Sequence, residues 1–228
     1  MAPDRPSTRR AVAVDASGVR LAGDLVVPTG ARGMVVFAHG SGSSRHSPRN
    51  RKVAAGLHEA GYGTLLLDLL TGAEERIDAG TKALRFDIAL LAGRLTDAAD
   101  WLHGEEEAGS LPLAAFGAST GAAAALVLAA DRPYGIAAVI SRGGRPDLAG
   151  DALDRVRAPV LLIVGGADRA VLELNRAAAA RLPSPHAVAV VPGATHLFPE
   201  EGALEQVVVA SVDWLARWLP EQEVPAPG

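Results

Sequence analysis

The sequence predicts a single α/β domain built on a doubly wound, mostly parallel β-sheet with helices on both faces. Short β-rich runs alternate with longer helical patterns along most of the chain. Runs such as VVFA, TLLLDLL and VLLIV are apolar at every position, which is typical of parallel strands covered on both sides. The length of 228 residues and the 49% hydrophobic content suffice for one such core.

The first half of the chain supplies six of the expected elements in order. AVAVDA and VRLAGDLVV predict an antiparallel edge pair, and GMVVFAHG predicts the first parallel strand. A helix over residues 50–60, the strand GTLLLDLL and a long amphipathic helix over residues 81–103 are expected to follow. This alternation is that of a doubly wound sheet.

The second half continues the alternation. LPLAAFGAS predicts a strand before an alanine-rich helix, and AAVISRGG, PVLLIVGG and HAVAVVPG predict three more strands. Helices are expected over residues 148–156, 172–182 and 204–219. The predicted domain spans residues 1–220, and the Pro- and Glu-rich residues 221–228 predict a flexible tail.

Composition and charge exclude several function classes. The net charge of −4 and the lack of a dense Lys/Arg run argue against nucleic acid or an anionic membrane as partner. The absence of cysteine excludes disulfides, thiolate metal sites and a cysteine nucleophile. Neither a secretory leader nor an 18-residue uncharged apolar segment is apparent. We therefore expect a soluble, cytoplasmic protein.

Ser119 stands in the stretch FGASTG, between Gly117 and Gly121, where a predicted buried strand gives way to the alanine-rich helix. This strand–turn–helix context is typical of a nucleophile elbow, a strained turn whose flanking glycines let strand and helix approach. The helix N-terminus also directs N–H groups toward an anion forming beside the serine. A plain turn in a chain rich in alanine and glycine is the alternative, but the context favours a serine exposed for attack.

A serine nucleophile needs a base, and the base needs an orienting acid. Of the two histidines after Ser119, His186 opens a predicted strand, whereas His196 lies in the loop after that strand. Asp168 follows PVLLIVGG at the same carboxyl edge of the sheet, where doubly wound sheets carry their sites. Asp68 precedes the serine and is expected to support a loop. We expect Ser119, Asp168 and His196 to act together, with a solvated histidine and an ordinary turn aspartate as alternatives.

The stretch HGSGSS follows a predicted strand and is expected to form an oxyanion loop, whose backbone N–H groups would act with that of Thr120. A dinucleotide-binding fingerprint is the competing interpretation. It fails because Arg45 stands where the third glycine belongs, and because the next strand-borne acid, Asp68, lies too far along the chain. His39 is expected to brace the loop.

These motifs resemble the α/β-hydrolase superfamily and, within it, the dienelactone hydrolase family. The resemblance covers residues 19–219 and rests on HGSGSS at 39–44, GASTG at 117–121, Asp168 after VLLIVGGA and GATH at 193–196. The segments LRFDIALLAGRL and SRGGRPDLAG are similar to a bacterial branch of that family. The name-giving members use a cysteine nucleophile, so Ser119 favours a serine esterase. The short connection between AAVISRGG and PVLLIVGG leaves no room for a lid domain, so the pocket is expected to be open.

The expected reaction is two-step acyl transfer from small to medium-sized carboxylic esters or lactones. Ser119 would attack the carbonyl while His196 takes its proton and Asp168 holds the imidazole. The N–H groups of Ser41 and Thr120 would stabilise the oxyanion. No metal or organic cofactor is implied.

The sequence leaves the substrate open. Arg45 and Arg142 each follow a predicted carboxyl-edge strand and are candidates to hold a carboxylate or phosphate; structural or solvent-facing arginines are the alternative. Cleavage of amide, thioester or organophosphate bonds by the same triad stays open, as does a non-catalytic ligand-binding protein. The expected partner is a small-molecule ester or lactone, and the sequence leaves a homodimer open.

Overall fold

The computed structural model describes residues 7–219, and its strands form one eight-stranded sheet. The strands are β1 (Ser7–Ala16), β2 (Val19–Pro28), β3 (Met34–Ala38), β4 (Gly63–Leu67), β5 (Leu113–Ala118), β6 (Ala138–Arg142), β7 (Val160–Gly165) and β8 (His186–Val191). Their order across the sheet is β1-β2-β4-β3-β5-β6-β7-β8. The strands from β3 to β8 run parallel, while β2 pairs antiparallel with β1 and β4. The predicted sheet and its antiparallel edge are confirmed.

Six α-helices lie within the described residues. They are α1 (Pro48–Glu59), α2 (Gly72–Thr81), α3 (Ile88–His103), α4 (Thr120–Asp131), α5 (Arg169–Ala179) and α6 (Ala203–Trp218). Two 3₁₀ segments, Leu84–Phe86 and Pro146–Arg155, are the remaining helical elements of the described residues. The second is interrupted at Gly150, whose backbone is not helical. It is the short connection predicted between β6 and β7. The predicted tail at 221–228 lies outside the described residues.

The core occupies both faces of the sheet because successive strand residues point to opposite sides. In β3, Val35 and Phe37 pack toward α1 and α6, and Phe37 stacks on Phe116 of β5 at 4.6 Å between ring centroids. Val36 of the same strand packs toward α3 and α4, whose buried faces are rich in leucine and alanine. Burial on both faces explains the continuous apolar runs.

The prediction of one long helix over residues 81–103 was wrong in its first turns, because α3 begins only at Ile88. Lys82 adopts a left-handed conformation with φ of 56° and ends α2, and Asp87 caps α3 by accepting a hydrogen bond from the N–H of Leu90. In the segment between the two helices, the N–H of Leu84 donates a hydrogen bond to the buried carboxylate of Asp78 in α2. These contacts replace the helical hydrogen bonds that the periodicity suggested.

Helix α2 was missed although its start carries a sequence signal. Thr71 and Glu74 form a capping box, in which each side chain accepts the backbone N–H of the other residue. Glu74 also binds Arg94 of α3, and this hydrogen bond lowers the pKa of the Glu74 carboxyl to about 2. The contact fixes α2 against α3, so that α2 walls one side of the cavity described below.

Candidate active site

Ser119 lies at the sharp turn between β5 and α4, where it is the N-cap residue of α4. Its backbone has φ of 51° and ψ of −120°, a region that residues with a side chain rarely occupy. The strain is held by the flanking structure, since the N–H of Ser119 donates to the carbonyl of Arg142 and the N–H of Arg145 donates to the carbonyl of Ser119. This is the elbow that the sequence pattern predicts.

The glycines on either side of Ser119 permit two close backbone contacts. A Cβ on Gly117 would lie 2.4 Å from Cα of Ala122 in α4. A Cβ on Gly121 would lie 2.2 Å from the carbonyl oxygen of Ala38 at the end of β3. The first glycine therefore lets strand and helix approach, as expected, whereas the second lets α4 approach the neighbouring strand β3 and the loop that follows it.

Gly121→Ala is expected to lower the free energy of unfolding by about 3 kcal/mol or more, because the new methyl group meets backbone that cannot rotate away. Gly93→Ala in α3 is the matched control, since a Cβ there meets nothing within 4 Å and alanine favours a helix by up to about 1 kcal/mol. Urea unfolding of both variants measures the difference. Equal stabilities would contradict the packing argument.

His196 and Asp168 meet at the carboxyl edge, in the loops after β8 and β7. Nδ1 of His196 lies 2.7 Å from Oδ2 of Asp168. The two loops are tied by a hydrogen bond from the N–H of Ala167 to the carbonyl of Ala194, and a Cβ on Gly165 would lie 2.3 Å from that same oxygen. The contact orients the imidazole with Nδ1 toward the carboxylate and Nε2 free to act as a base.

Ser119 and His196 line one cavity of about 250 Å³, together with Ser41. No hydrogen bond joins the side chains of Ser119 and His196 within residues 7–219. Such contacts are commonly long in the absence of substrate and shorten in the reacting complex. The structure thus brings together the three residues expected from the sequence, and it places His186 at the start of β8, away from them.

The backbone N–H groups of Ser41 and Thr120 flank this serine and donate no hydrogen bond within the described part of the chain. Thr120 is the first residue of α4, and Ser41 lies in the loop after β3. A Cβ on Gly40 would lie 3.0 Å from Cβ of Ser119, so the loop passes directly beside this serine. Two free N–H groups at this point can receive an oxyanion.

His39 braces the loop in its neutral form. Its Nε2 accepts the N–H of Leu69 at 3.1 Å, and its Nδ1 lies 2.9 Å from the carbonyl of Gly40. Burial lowers the pKa of His39 below its usual value, so the ring stays uncharged at neutral pH. The ring therefore links the Ser41 loop to the segment that follows β4.

Asp68 holds the same loop from a second direction. Its carboxylate accepts the N–H of Arg45 at 2.6 Å and pairs with the guanidinium of that residue, which also lies 3.7 Å from Asp24. Asp68 thus supports a loop rather than His196. Arg45, a candidate for substrate binding, is paired with these carboxylates. It lines neither the cavity of Ser119 nor the larger cavity that is described below.

Arg142, the second arginine candidate, lines the cavity of Ser119 and His196. It is 6% exposed, and its Nε and Nη1 have no hydrogen-bond partner. Arg49 in the first turn of α1 lines the same cavity and was missed, because an arginine at the start of a predicted helix carries no distinctive pattern. Burial and the charge of Arg49 lower the pKa of Arg142 to about 10, so it remains protonated at neutral pH.

A larger cavity of about 460 Å³ opens on the other side of the Ser41 loop and reaches Thr120. Its apolar lining consists of Leu69, Leu70, Leu91 and Pro48. The polar side is formed by Glu75, Asp78 and Arg85, which belong to α2 and the segment after it. The chain therefore has a partial wall where the sequence predicted an open pocket, because α2 was not foreseen.

Within residues 7–219 no helix is long and apolar enough to cross a membrane. The same residues hold no group of three or more His, Asp or Glu side chains arranged to bind a metal ion.

A family model described as the dienelactone hydrolase family matches residues 21–217. This chain belongs to that family. The crystal structure of a dienelactone hydrolase from Anabaena variabilis superimposes with a TM-score of 0.91 at 52% sequence identity, covering 93% of this chain and 98% of the other. Est1E from Butyrivibrio proteoclasticus superimposes with a TM-score of 0.77 at 18% identity over 92% of this chain, which shows the shared fold. The family resemblance found in the motifs is confirmed.

Curated relatives of this family member are longer proteins. A protein of Mycobacterium tuberculosis strain H37Rv, provisionally named a phosphoribosyl transferase, is 58% identical over 213 residues, which are 93% of this chain and 47% of the relative. The chain therefore spans about half the length of the curated relatives with which it shares 58% identity. An uncharacterised protein of the same organism is 30% identical over 243 residues, covering 82% of its own length.

Proposed function

We propose that this chain is a serine hydrolase that cleaves carboxylic esters or lactones through an acyl-enzyme on Ser119. The observation that carries the proposal is one cavity holding a strained elbow serine and a histidine whose Nδ1 lies 2.7 Å from a carboxylate. A nucleophile, a base and an orienting acid are the minimal set for acyl transfer by serine. Membership of the dienelactone hydrolase family supports hydrolysis as the reaction class.

In the first half-reaction, Oγ of Ser119 adds to the ester carbonyl carbon as Nε2 of His196 accepts the hydroxyl proton. Asp168 stabilises the resulting imidazolium through Nδ1–H. The tetrahedral oxyanion accepts hydrogen bonds from the N–H groups of Ser41 and Thr120. As the intermediate collapses, the C–O bond to the alcohol breaks and His196 donates its proton to the leaving oxygen.

In the second half-reaction, His196 takes a proton from water as the water oxygen adds to the acyl carbon. Collapse of this intermediate breaks the bond to Oγ, and the proton returns to Ser119 while the carboxylic acid leaves. The serine, the base and water balance the reaction without a further reactant. Thioesters and amides follow the same steps with a different leaving atom.

Phosphoribosyl transfer is not proposed for this chain. That name belongs to relatives of which the chain matches 47%, so it describes a protein about twice as long. The cavity described above supports covalent catalysis at an acyl carbon.

Ester substrates with short acyl chains are expected to give the highest kcat/KM. The larger cavity has only three leucines in its lining, so added methylenes soon meet polar groups or solvent. A buried CH₂ contributes about 0.8 kcal/mol, or roughly fourfold in kcat/KM per carbon, and this gain should stop after about four to six carbons. Hydrolysis of p-nitrophenyl esters from acetate to laurate measures it.

Two outcomes would contradict these statements separately. A steady rise of kcat/KM through laurate would overturn the argument about the cavity while leaving the esterase in place. Hydrolysis of none of the esters, together with no labelling by a fluorophosphonate, would overturn the proposed function itself.

A further inference from the structure

Arg142 is a buried cation that nothing in the described chain neutralises. Its side chain extends from the end of β6, where Ala118 and Arg142 are paired in register beside Ser119. The residue is 6% exposed, and neither Nε nor Nη1 has a hydrogen-bond partner. Burying a charge is costly unless it is paired and hydrogen-bonded, so a guanidinium kept in this state is a strong indication of an absent partner.

A second cation, Arg49, reinforces the charge instead of compensating it. Within residues 7–219 neither arginine forms an ion pair, and Nε of Arg49 is also buried without a hydrogen-bond partner. No acidic residue lines the cavity of Arg142. Of the carboxylates around it, Asp168 contacts His196, Glu205 pairs with Lys52, and Glu200 accepts a hydrogen bond from Thr195. Glu201 lines a neighbouring cavity with Arg49, and within residues 7–219 it forms no ion pair with that arginine. The cavity therefore carries two positive charges.

The first turn of α1 contributes to the same cavity. Ser47, Arg49 and Asn50, from the N-cap and first turn of this 12-residue helix, line it together with Arg142. A helix N-terminus adds partial positive charge and unsatisfied N–H groups to the field of the two guanidiniums. Guanidinium groups bind phosphate oxygens in pairs of parallel hydrogen bonds.

We propose that Arg142 and Arg49 bind a phosphate monoester group carried by the substrate, beside the ester bond that Ser119 attacks. The inference rests on the proposed function for the reacting bond, and the phosphate is a recognition group that takes no part in bond breaking. Two cations match the charge of a phosphate dianion, whereas a single carboxylate would leave one positive charge uncompensated. The substrate class is therefore a phosphorylated ester or lactone.

Binding is tested first without catalysis, with inorganic phosphate and acetate as probes on the Ser119→Ala variant of the 228-residue chain. Calorimetric titration is expected to detect phosphate with an affinity at least about tenfold above that for acetate, and adding Arg142→Met or Arg49→Met should weaken it by about tenfold or more. Arg132→Met, which alters an exposed arginine paired with Asp100, is the matched control and should leave phosphate binding unchanged. Equal affinity for acetate, or unchanged binding in both cavity variants, would overturn the proposal.

The stability of Arg142→Met separates a binding arginine from a structural one. Replacing an unpaired buried charge by an apolar side chain of similar length should raise the Tm, and phosphate should raise the Tm of the parent protein only. A lower Tm in Arg142→Met with no effect of phosphate on the parent would indicate a structural arginine. Arg49→Met, at a more exposed position, provides the second variant if Arg142→Met does not fold.

Steady-state kinetics of proteins that keep Ser119, Asp168 and His196 complete the test. A phosphorylated ester should exceed its neutral isostere in kcat/KM by about tenfold or more, and Arg142→Met should abolish that preference while hydrolysing the neutral ester. Hydrolysis of both esters at equal rates would overturn the phosphate site and leave the hydrolase. Phosphate binding by Ser119→Ala without ester hydrolysis by the parent protein would overturn the hydrolase and leave the site.

Discussion

Ser119→Ala is expected to lower kcat/KM for ester hydrolysis by a factor on the order of 10⁴ or more while the protein remains folded. The loss is large because the hydroxyl forms the covalent intermediate, and the remaining groups can only bind and polarise the ester. The fold should tolerate the change because Oγ of Ser119 makes no hydrogen bond within residues 7–219, and because alanine keeps the Cβ and therefore adds no backbone strain at this position. Steady-state kinetics and labelling by a fluorophosphonate probe measure the effect.

Two further variants make this result specific. Ser110→Ala changes an exposed serine in the turn before β5 and should leave both rate and labelling unchanged. Ser119→Cys keeps a nucleophile at the elbow and should still form a detectable acyl-enzyme. If Ser119→Ala still reacted with the probe, the nucleophile would have to be sought among other residues.

Asp168→Asn is expected to lower kcat by about 10³ to 10⁴. The Asp168 carboxylate is 2.7 Å from Nδ1 of His196, where it can accept a hydrogen bond from the Nδ1–H group. An amide at this position can donate to Nδ1, which stabilises the wrong tautomer and places the proton on Nε2, where the base is needed. The pH dependence of kcat and the circular dichroism spectrum distinguish this effect from a loss of structure.

Asp68→Asn is the matched control, because both aspartates follow apolar strands of the same sheet. The Asp68 carboxylate binds Arg45 in the loop that carries Ser41, so its replacement should cost about 1 to 3 kcal/mol of unfolding free energy and change kcat by roughly tenfold at most. A large kcat loss in Asp68→Asn with normal turnover in Asp168→Asn would exchange the roles assigned to the two carboxylates.

The strand pattern and the serine turn were predicted correctly from local sequence, whereas the capping box at the start of α2 was missed. Continuous apolar runs predict parallel strands with two buried faces, and FGASTG between a strand and an alanine-rich helix predicts the strained turn at Ser119, which has a φ of 51° in the structure. Helix ends were harder to predict. The break between α2 and α3 depends on Asp78, whose buried carboxylate binds backbone N–H groups six and seven residues away, a contact that hydrophobic periodicity does not encode.

The sequence by itself determined the family, the order of the strands along the chain and the identity of Ser119, Asp168 and His196 as candidates, because each depends on residue type and on position relative to one strand. Only the tertiary structure decided which arginine reaches the cavity. Arg45 and Arg142 both follow a parallel strand, but Asp68 of a neighbouring strand end binds Arg45, whereas no carboxylate of the described residues reaches Arg142. Ion pairing between distant segments depends on the order of the strands across the sheet and on the burial of the side chains. Both are determined only when the chain folds.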